Sequence, residues 1–228
     1  MRLYQPRRGY RFSVEAVLLA RFATARPAAR VLELGAGCGV VALIVAALAQ
    51  PRELVALEIQ PALVELIERN AALNGFGMIR TVCADLRSHR ALGGASGNFD
   101  LVLANPPFHA RQSGRESLHA GRRLARGEIA ARLEDFTAAA ARYARHGGRI
   151  AFVFAAARSA ELISALRARR LEPKRIRFVH PYATASASTV LVEARKDGGV
   201  EVEIEPPLVM YRAPRVYSDE ARALLERP

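Results

Sequence analysis

Arg30-Val-Leu-Glu-Leu-Gly-Ala-Gly-Cys-Gly39, followed at once by Val40-Val-Ala-Leu-Ile-Val-Ala-Ala-Leu-Ala49, reads as a strand, a glycine turn and a buried helix. Glycines at alternate positions let the backbone turn tightly and approach a ligand with no Cβ in the way. The apolar run from Val40 is too short for a bilayer and fits a core helix. Outward from this unit the same alternation continues. A second strand, Glu53-Leu-Val-Ala-Leu-Glu58, leads to a helix opened by Pro61 and closed by Gly75, with Leu63, Leu66, Ile67 and Ala71 expected on its inner face. Strands are predicted at Ile79–Ala84, Phe99–Ala104 and Arg149–Phe154, and helices over about Glu128–Arg145 and Ser159–Arg170. Two late runs, Arg175–His180 and Ser188–Ala194, suggest an antiparallel addition to the sheet; Leu208–Tyr211 and a short helix from about Ser218 end the chain. Strands alternating with helices predict a Rossmann-like, doubly wound α/β fold around a mostly parallel sheet. With 228 residues and no internal repeat or low-complexity linker, one domain is expected: an N-terminal segment 1–29, a core 30–196 and an extension 197–228.

Composition excludes several classes. No apolar stretch is long and clean enough to cross a membrane, and the opening MRLYQPRRGYRF lacks the apolar core of a signal peptide. Cys38 and Cys83 cannot form a disulfide framework, and the five histidines show no metal-ligand spacing, so no metal and a reducing cytoplasm are expected. His109 is read as a pocket-rim residue and the other histidines as surface. The net charge is +12, yet only Lys174 and Lys196 among the 34 basic residues are lysines. That skew, with abundant alanine, reflects codon composition in part. Even so, a field of this sign steers polyanions inward.

The chemistry is carried by strand ends. A dinucleotide fingerprint, Gly-x-Gly-x-x-Gly, would need glycine where Val40 stands, so that reading fails. The pattern present, Glu33, one spacer, then Gly35, Gly37 and Gly39, resembles motif I of the class I methyltransferases, which bind S-adenosylmethionine. Glu58, with Ile59 beside it, ends the second strand, where a carboxylate reaches both hydroxyls of a ribose. Asp85 ends the third, placed to accept a bond from an adenine amino group, with Leu86 offering its backbone N–H. Asn105-Pro106-Pro107-Phe108 follows the fourth strand on the same edge. Its two prolines fix φ and remove two backbone donors, leaving carbonyl oxygens. The Asn105 side-chain oxygen and the Pro106 carbonyl could then each accept one hydrogen of a planar NH₂, turning its lone pair toward a sulfonium methyl. Phe108 would give the base a face to stack on.

At these residues the chain resembles class I methyltransferases with an Asn-Pro-Pro-(Phe/Tyr) motif, and more narrowly the bacterial tRNA (valine) adenine-N6 methyltransferases. Further matches are Gln5–Leu19, Leu124–Ile129, Phe178–Pro181, Leu191–Lys196 and Leu208–Tyr211; Gly127 and Glu15 depart from the family pattern. The resemblance implies a seven-stranded sheet with an antiparallel last strand, S-adenosyl-L-methionine as cofactor, and an N-terminal segment that helps close its pocket. It also implies an RNA substrate, with tRNA favoured. Arg7, Arg8 and Arg11 before motif I, and Arg111, Arg122, Arg123 and Arg126 after Phe108, are the expected phosphate contacts. Guanine N2 and the glutamine side-chain amide present the same planar NH₂ and stay open as targets. Glutamine methylases of release factors carry a helical domain before this core, and many guanine-N2 enzymes a duplicated one, so adenine N6 leads. A basic binding module without catalysis would not require the acid, glycine and Asn-Pro-Pro residues together.

Overall fold

The local signals place the strands closely. In the computed structural model, which describes residues 1–5, 13–94, 96–107 and 131–226, β1 (Arg30–Leu34), β2 (Glu53–Glu58), β3 (Ile79–Cys83) and β4 (Phe99–Ala104) fall at or within a residue of their expected bounds. β5 (Ala144–Ala155), β6 (Leu171–His180) and β7 (Thr189–Lys196) complete a sheet in the order β3-β2-β1-β4-β5-β7-β6. Among these seven only β7 runs antiparallel, inserted between β5 and β6. Of the two late strands expected to be antiparallel, β6 therefore shares the direction of the core. Two short strands, β8 (Glu203–Ile204) and β9 (Leu208–Val209), line the outer side of β6 and bring the sheet to nine. A separate hairpin, β10 (Tyr211–Ala213) and β11 (Val216–Tyr217), follows.

Helices cover both faces. On one side lie α1 (Val14–Phe22), α2 (Val40–Ala49), α3 (Pro61–Leu73) and the last helix, α6 (Asp219–Glu226). On the other lie α4 (Leu133–Tyr143) and α5 (Ser159–Arg167). The uniform apolarity of α2 is explained by its position: Val40 to Ala46 are all buried. In α3 the buried face is Val64, Ile67, Asn70 and Ala71 rather than the expected Leu63, Leu66, Ile67 and Ala71, a rotation that places an asparagine in the interior. The helix expected to run to Arg145 ends at Tyr143, because Ala144 is already paired with Phe99 and the strand passes through Gly147-Gly148. Similarly α5 stops at Arg167, and Arg170 turns the chain at φ 58° into β6.

Part of the arginine excess is structural. Arg149 donates to the Thr24 carbonyl at 2.8 Å and Arg175 donates to the Phe22 carbonyl, so two guanidinium groups meet the C-terminal end of α1, where cations are favoured. Glu193 lies between them, 3.1 Å from Arg149 and 3.5 Å from Arg175. Among the described residues no helix is long and apolar enough to cross a membrane.

Candidate active site

Register brings the motif residues to one edge. Leu34 at the end of β1 is paired with Leu57 on one side and Ala104 on the other, so Gly35, Glu58 and Asn105 each stand one residue beyond the same rung. Adjacent strands lie about 4.8 Å apart, which sets the spacing of the three. The turn after β1 holds Gly35, Gly37 and Gly39 at φ 68°, 58° and 82°. The amides of Gly35 and Ala36 both donate to the Leu57 carbonyl, tying the turn to β2. Space is as limiting as conformation. A Cβ on Gly35 would lie 3.2 Å from the Phe136 ring, and one on Gly39 would lie 3.1 Å from Ile67.

The two motif acids are held differently. Glu58, 5% exposed, accepts from the Gly37 amide at 2.9 Å through Oε2, and from the Ile59 and Gln60 amides at 3.0 Å through Oε1. It braces the glycine turn, and Oε2 retains capacity for a ligand hydroxyl. Ile59 leaves 53% of its surface exposed beside it, an apolar residue at a polar rim. Glu33 is 3% exposed and accepts the Ala42 amide at 2.9 Å, an N-terminal amide of α2. Burial pushes its carboxyl up to about 8, with the Glu58 charge adding to the shift and the Ala42 bond opposing it.

Asp85 stands two residues beyond the end of β3, and both its oxygens are engaged by Arg87, whose hydrogen bonds hold the carboxyl below the usual range. A base docking on Asp85 has to displace one of those bonds. Leu86 is buried, and its carbonyl accepts from Arg142. Asn105 is half-buried, Pro106 buried and Pro107 exposed; among the described residues, no hydrogen bond occupies the Asn105 side chain. Phe108, His109, His119 and the arginines Arg7, Arg8, Arg11, Arg111, Arg115, Arg122, Arg123 and Arg126 lie outside the described residues.

One constellation was not legible beforehand. Asn70, wholly buried in α3, accepts from the Tyr4 amide at 2.7 Å and donates to the Tyr4 carbonyl at 3.0 Å and to the Cys38 carbonyl at 3.1 Å. One turn later Asn74 does the same with the amide and carbonyl of Arg2. The match is geometric: four helical residues rise about 6 Å, close to the roughly 6.6 Å of two extended residues. Two asparagines thus dock Arg2 to Tyr4 along α3 and connect that segment to the glycine turn. The only signal in the sequence was a polar residue between Ile67 and Ala71 on an otherwise apolar face.

Three glycines at positive φ, a strand-end acid that braces their turn, an exposed isoleucine and Asn105-Pro106-Pro107 thus stand along one edge of the sheet. Fold and site together define an S-adenosylmethionine-dependent methyltransferase of the class I architecture. The chain belongs to the Methyltransferase small domain family, whose model matches residues 14–169. Two relatives are named tRNA1(Val) (adenine(37)-N6)-methyltransferase. The one from a Flavobacteriaceae bacterium is 31% identical over 100 residues, 43% of this chain and 42% of that protein. The one from Porphyromonas gingivalis is 28% identical over 228 residues, 95% of this chain and 87% of that protein. A solved structure described as a predicted O-methyltransferase from Agrobacterium tumefaciens superposes with TM-score 0.74 at 23% identity, covering 92% of this chain and 94% of that one, a likeness of fold.

Proposed function

We propose that this methyltransferase acts on the exocyclic N6 amine of an adenine in RNA, with a tRNA as substrate. The observation that carries the reading is Asn105-Pro106-Pro107 at the end of β4, one strand from Gly35 in register. The names of the two relatives and the net charge of +12 support an RNA target. When bound, S-adenosylmethionine supplies an electrophilic methyl group on a sulfonium. The Asn105 amide oxygen and the Pro106 carbonyl each accept one hydrogen of the amine, which holds the nitrogen and turns its lone pair toward that methyl. Positioning of this kind contributes up to roughly 7–11 kcal/mol of barrier lowering. No strong base is required, because the methylated nitrogen is acidic enough to lose its extra proton to water. Phe108 stacks on the base, and Arg7, Arg8, Arg11, Arg111, Arg122, Arg123 and Arg126 contact phosphates. An unpaired loop adenine costs less to extrude than a paired one, so a loop suits an enzyme of this size.

In this reading Gly35, Gly37, Gly39, Glu33, Glu58, Ile59, Asp85, Leu86 and Asn105 line the cofactor pocket, which the N-terminal segment closes. Glu58→Ala is expected to weaken S-adenosylhomocysteine binding by about 1–3 kcal/mol, through loss of charge-assisted hydrogen bonds. Unchanged affinity by calorimetry would remove Glu58 from the pocket. Asn70→Ala leaves the Cys38 carbonyl and both polar groups of Tyr4 without their partner. Each such group costs about 1–3 kcal/mol if it stays buried. The expected result is faster amide exchange at Tyr4 and a Kd for S-adenosylhomocysteine raised about tenfold or more; normal affinity with the segment released would show that it does not close the pocket.

The function itself is tested by incubating the protein with labelled S-adenosylmethionine, total RNA and total protein. Label in N6-methyladenosine is the expected outcome. Label in N2-methylguanosine or in a methylated glutamine redirects the assignment.

A further inference from the structure

The groups assigned to the cofactor lie on β1, β2 and β3, and the methyl-transfer motif on β4. The rest of the active edge, formed by β5, β7 and β6, is left to the substrate. Beyond the end of β6 three tyrosines come together. Tyr211 and Tyr217 are cross-strand partners in the β10–β11 hairpin, their rings stacked at 5.0 Å between centroids and 18° between planes. Tyr182, two residues past β6, lies 5.8 Å from Tyr211, tilted by 40°, and leaves 39% of its surface exposed.

The cluster is built rigidly onto the sheet. The Met210 and Tyr211 amides donate to the His180 and Pro181 carbonyls, and Ser218 closes the hairpin with bonds to the Val209 and Met210 carbonyls. Tyr211 and Tyr217 also pack against the apolar layer under α1. The hydrogen bond that the Tyr211 hydroxyl donates to Tyr217 favours the neutral phenol and raises Tyr211 above its usual range. Arg212 and Arg215 are exposed on the same hairpin, and neither has an ion-pair partner among the described residues. Nearby Glu220 is engaged by Arg177.

We propose that Tyr182, Tyr211 and Tyr217, flanked by Arg212 and Arg215, form a second nucleotide-binding surface that stacks unpaired bases of the RNA substrate adjoining the methylated one. This inference rests on the RNA reading above. Aromatic faces accept any base, and unpaired arginines neutralise the phosphates between stacked bases. Three strand spacings separate β6 from β4, about 14 Å along the edge. A surface of this kind would orient a loop whose target base is held at Asn105, a task that one flipped base cannot perform alone.

Because the chain has no tryptophan and three of its six tyrosines form this cluster, the cluster contributes a large part of the intrinsic emission. The probe is an RNA hairpin with an adenine-containing unpaired loop; a fully paired duplex of equal length is the control. Titration of the hairpin is expected to quench tyrosine emission, and the duplex to quench it much less. Tyr182→Ala should weaken hairpin binding at least about fivefold, whereas Tyr182→Phe keeps a stacking ring and retains the affinity; both variants lose the share of the quenching that Tyr182 itself contributes. The Arg212→Ala/Arg215→Ala double variant should lower the salt slope by about two. The Kd for S-adenosylhomocysteine should stay within about twofold in every variant, since none of these residues touches its pocket. Variants that bind and methylate the hairpin like the unaltered protein, with the same quenching and salt slope, overturn the surface while leaving the RNA reading intact. An unaltered protein that neither binds the hairpin nor labels RNA overturns both.

Discussion

Asn105→Ala is expected to lower single-turnover methyl transfer by about two to three orders of magnitude, while the affinity for S-adenosylhomocysteine stays within about threefold. The magnitude follows from analogous sites, where removing one preorganised hydrogen-bond partner of a reacting group costs about 10²–10³ in rate. Selectivity for the chemical step follows from geometry. Asn105 extends from β4 and Glu58 ends β2, on opposite flanks of β1, so cutting back the Asn105 side chain leaves the glycine turn and its acid in place. Pro106 is buried and Pro107 follows, so the turn keeps its backbone course when the side chain is shortened. Rapid-quench measurement with saturating cofactor separates the step from product release. A transfer rate within threefold of the unaltered enzyme would end the proposed role of Asn105.

The second large effect concerns Glu33 and the pH dependence of folding. Burial pushes its carboxyl from an ordinary 4.5 up to about 8. Below about pH 4.5 the group is protonated in both folded and unfolded chains, and its favourable contribution is fully present. As pH rises toward 8 the unfolded chain releases the proton and the folded one keeps it, so stability is lost across that window. Each pKa unit corresponds to about 1.4 kcal/mol, which places the total on the order of 3–5 kcal/mol by pH 8. Glu33→Gln keeps an oxygen for the Ala42 amide and removes the titration. Denaturant unfolding between pH 5 and 9 should therefore show a falling midpoint for the unaltered protein and a flatter profile for the variant. Carboxylates bound to arginine, such as Asp85 beside Arg87, titrate below the usual range and leave this window clear. Identical pH profiles would mean that Glu33 is hydrated in solution.

Much of the fold was legible because its signals are local. The stretch from Arg30 to Ala49 carries its own strand, turn and helix in the switch from a five-residue strand with three apolar residues to alternating glycines to a ten-residue apolar run. Pro61 at the start of α3 and the motif turn after Ala104 punctuate the chain where neighbouring φ angles are restricted. Chain order along the strands then predicted that Gly35, Glu58, Asp85 and Asn105 would share an edge, since parallel strands carry their C-terminal ends to one side.

What the sequence determined by itself, then, was the element order and the strand-end positions of the glycine turn, Glu58 and Asn105, each marked by signals within a few residues of its own place. The tertiary structure alone decided how those residues are used. Glu33 and Glu58 look equivalent as strand acids, yet one lies buried against α2 with a raised pKa and the other braces the glycine turn with three amides. Asn70 lies inward because α3 is rotated from its expected face, and it bonds to Tyr4 and Cys38, 66 and 32 positions away. Ala144 leaves a good helical pattern because Phe99 offers it a strand partner, and Tyr182 meets Tyr211 only because β9 extends the sheet beside β6. Such outcomes depend on desolvation and on partners distant in the chain, and neither is written in local periodicity.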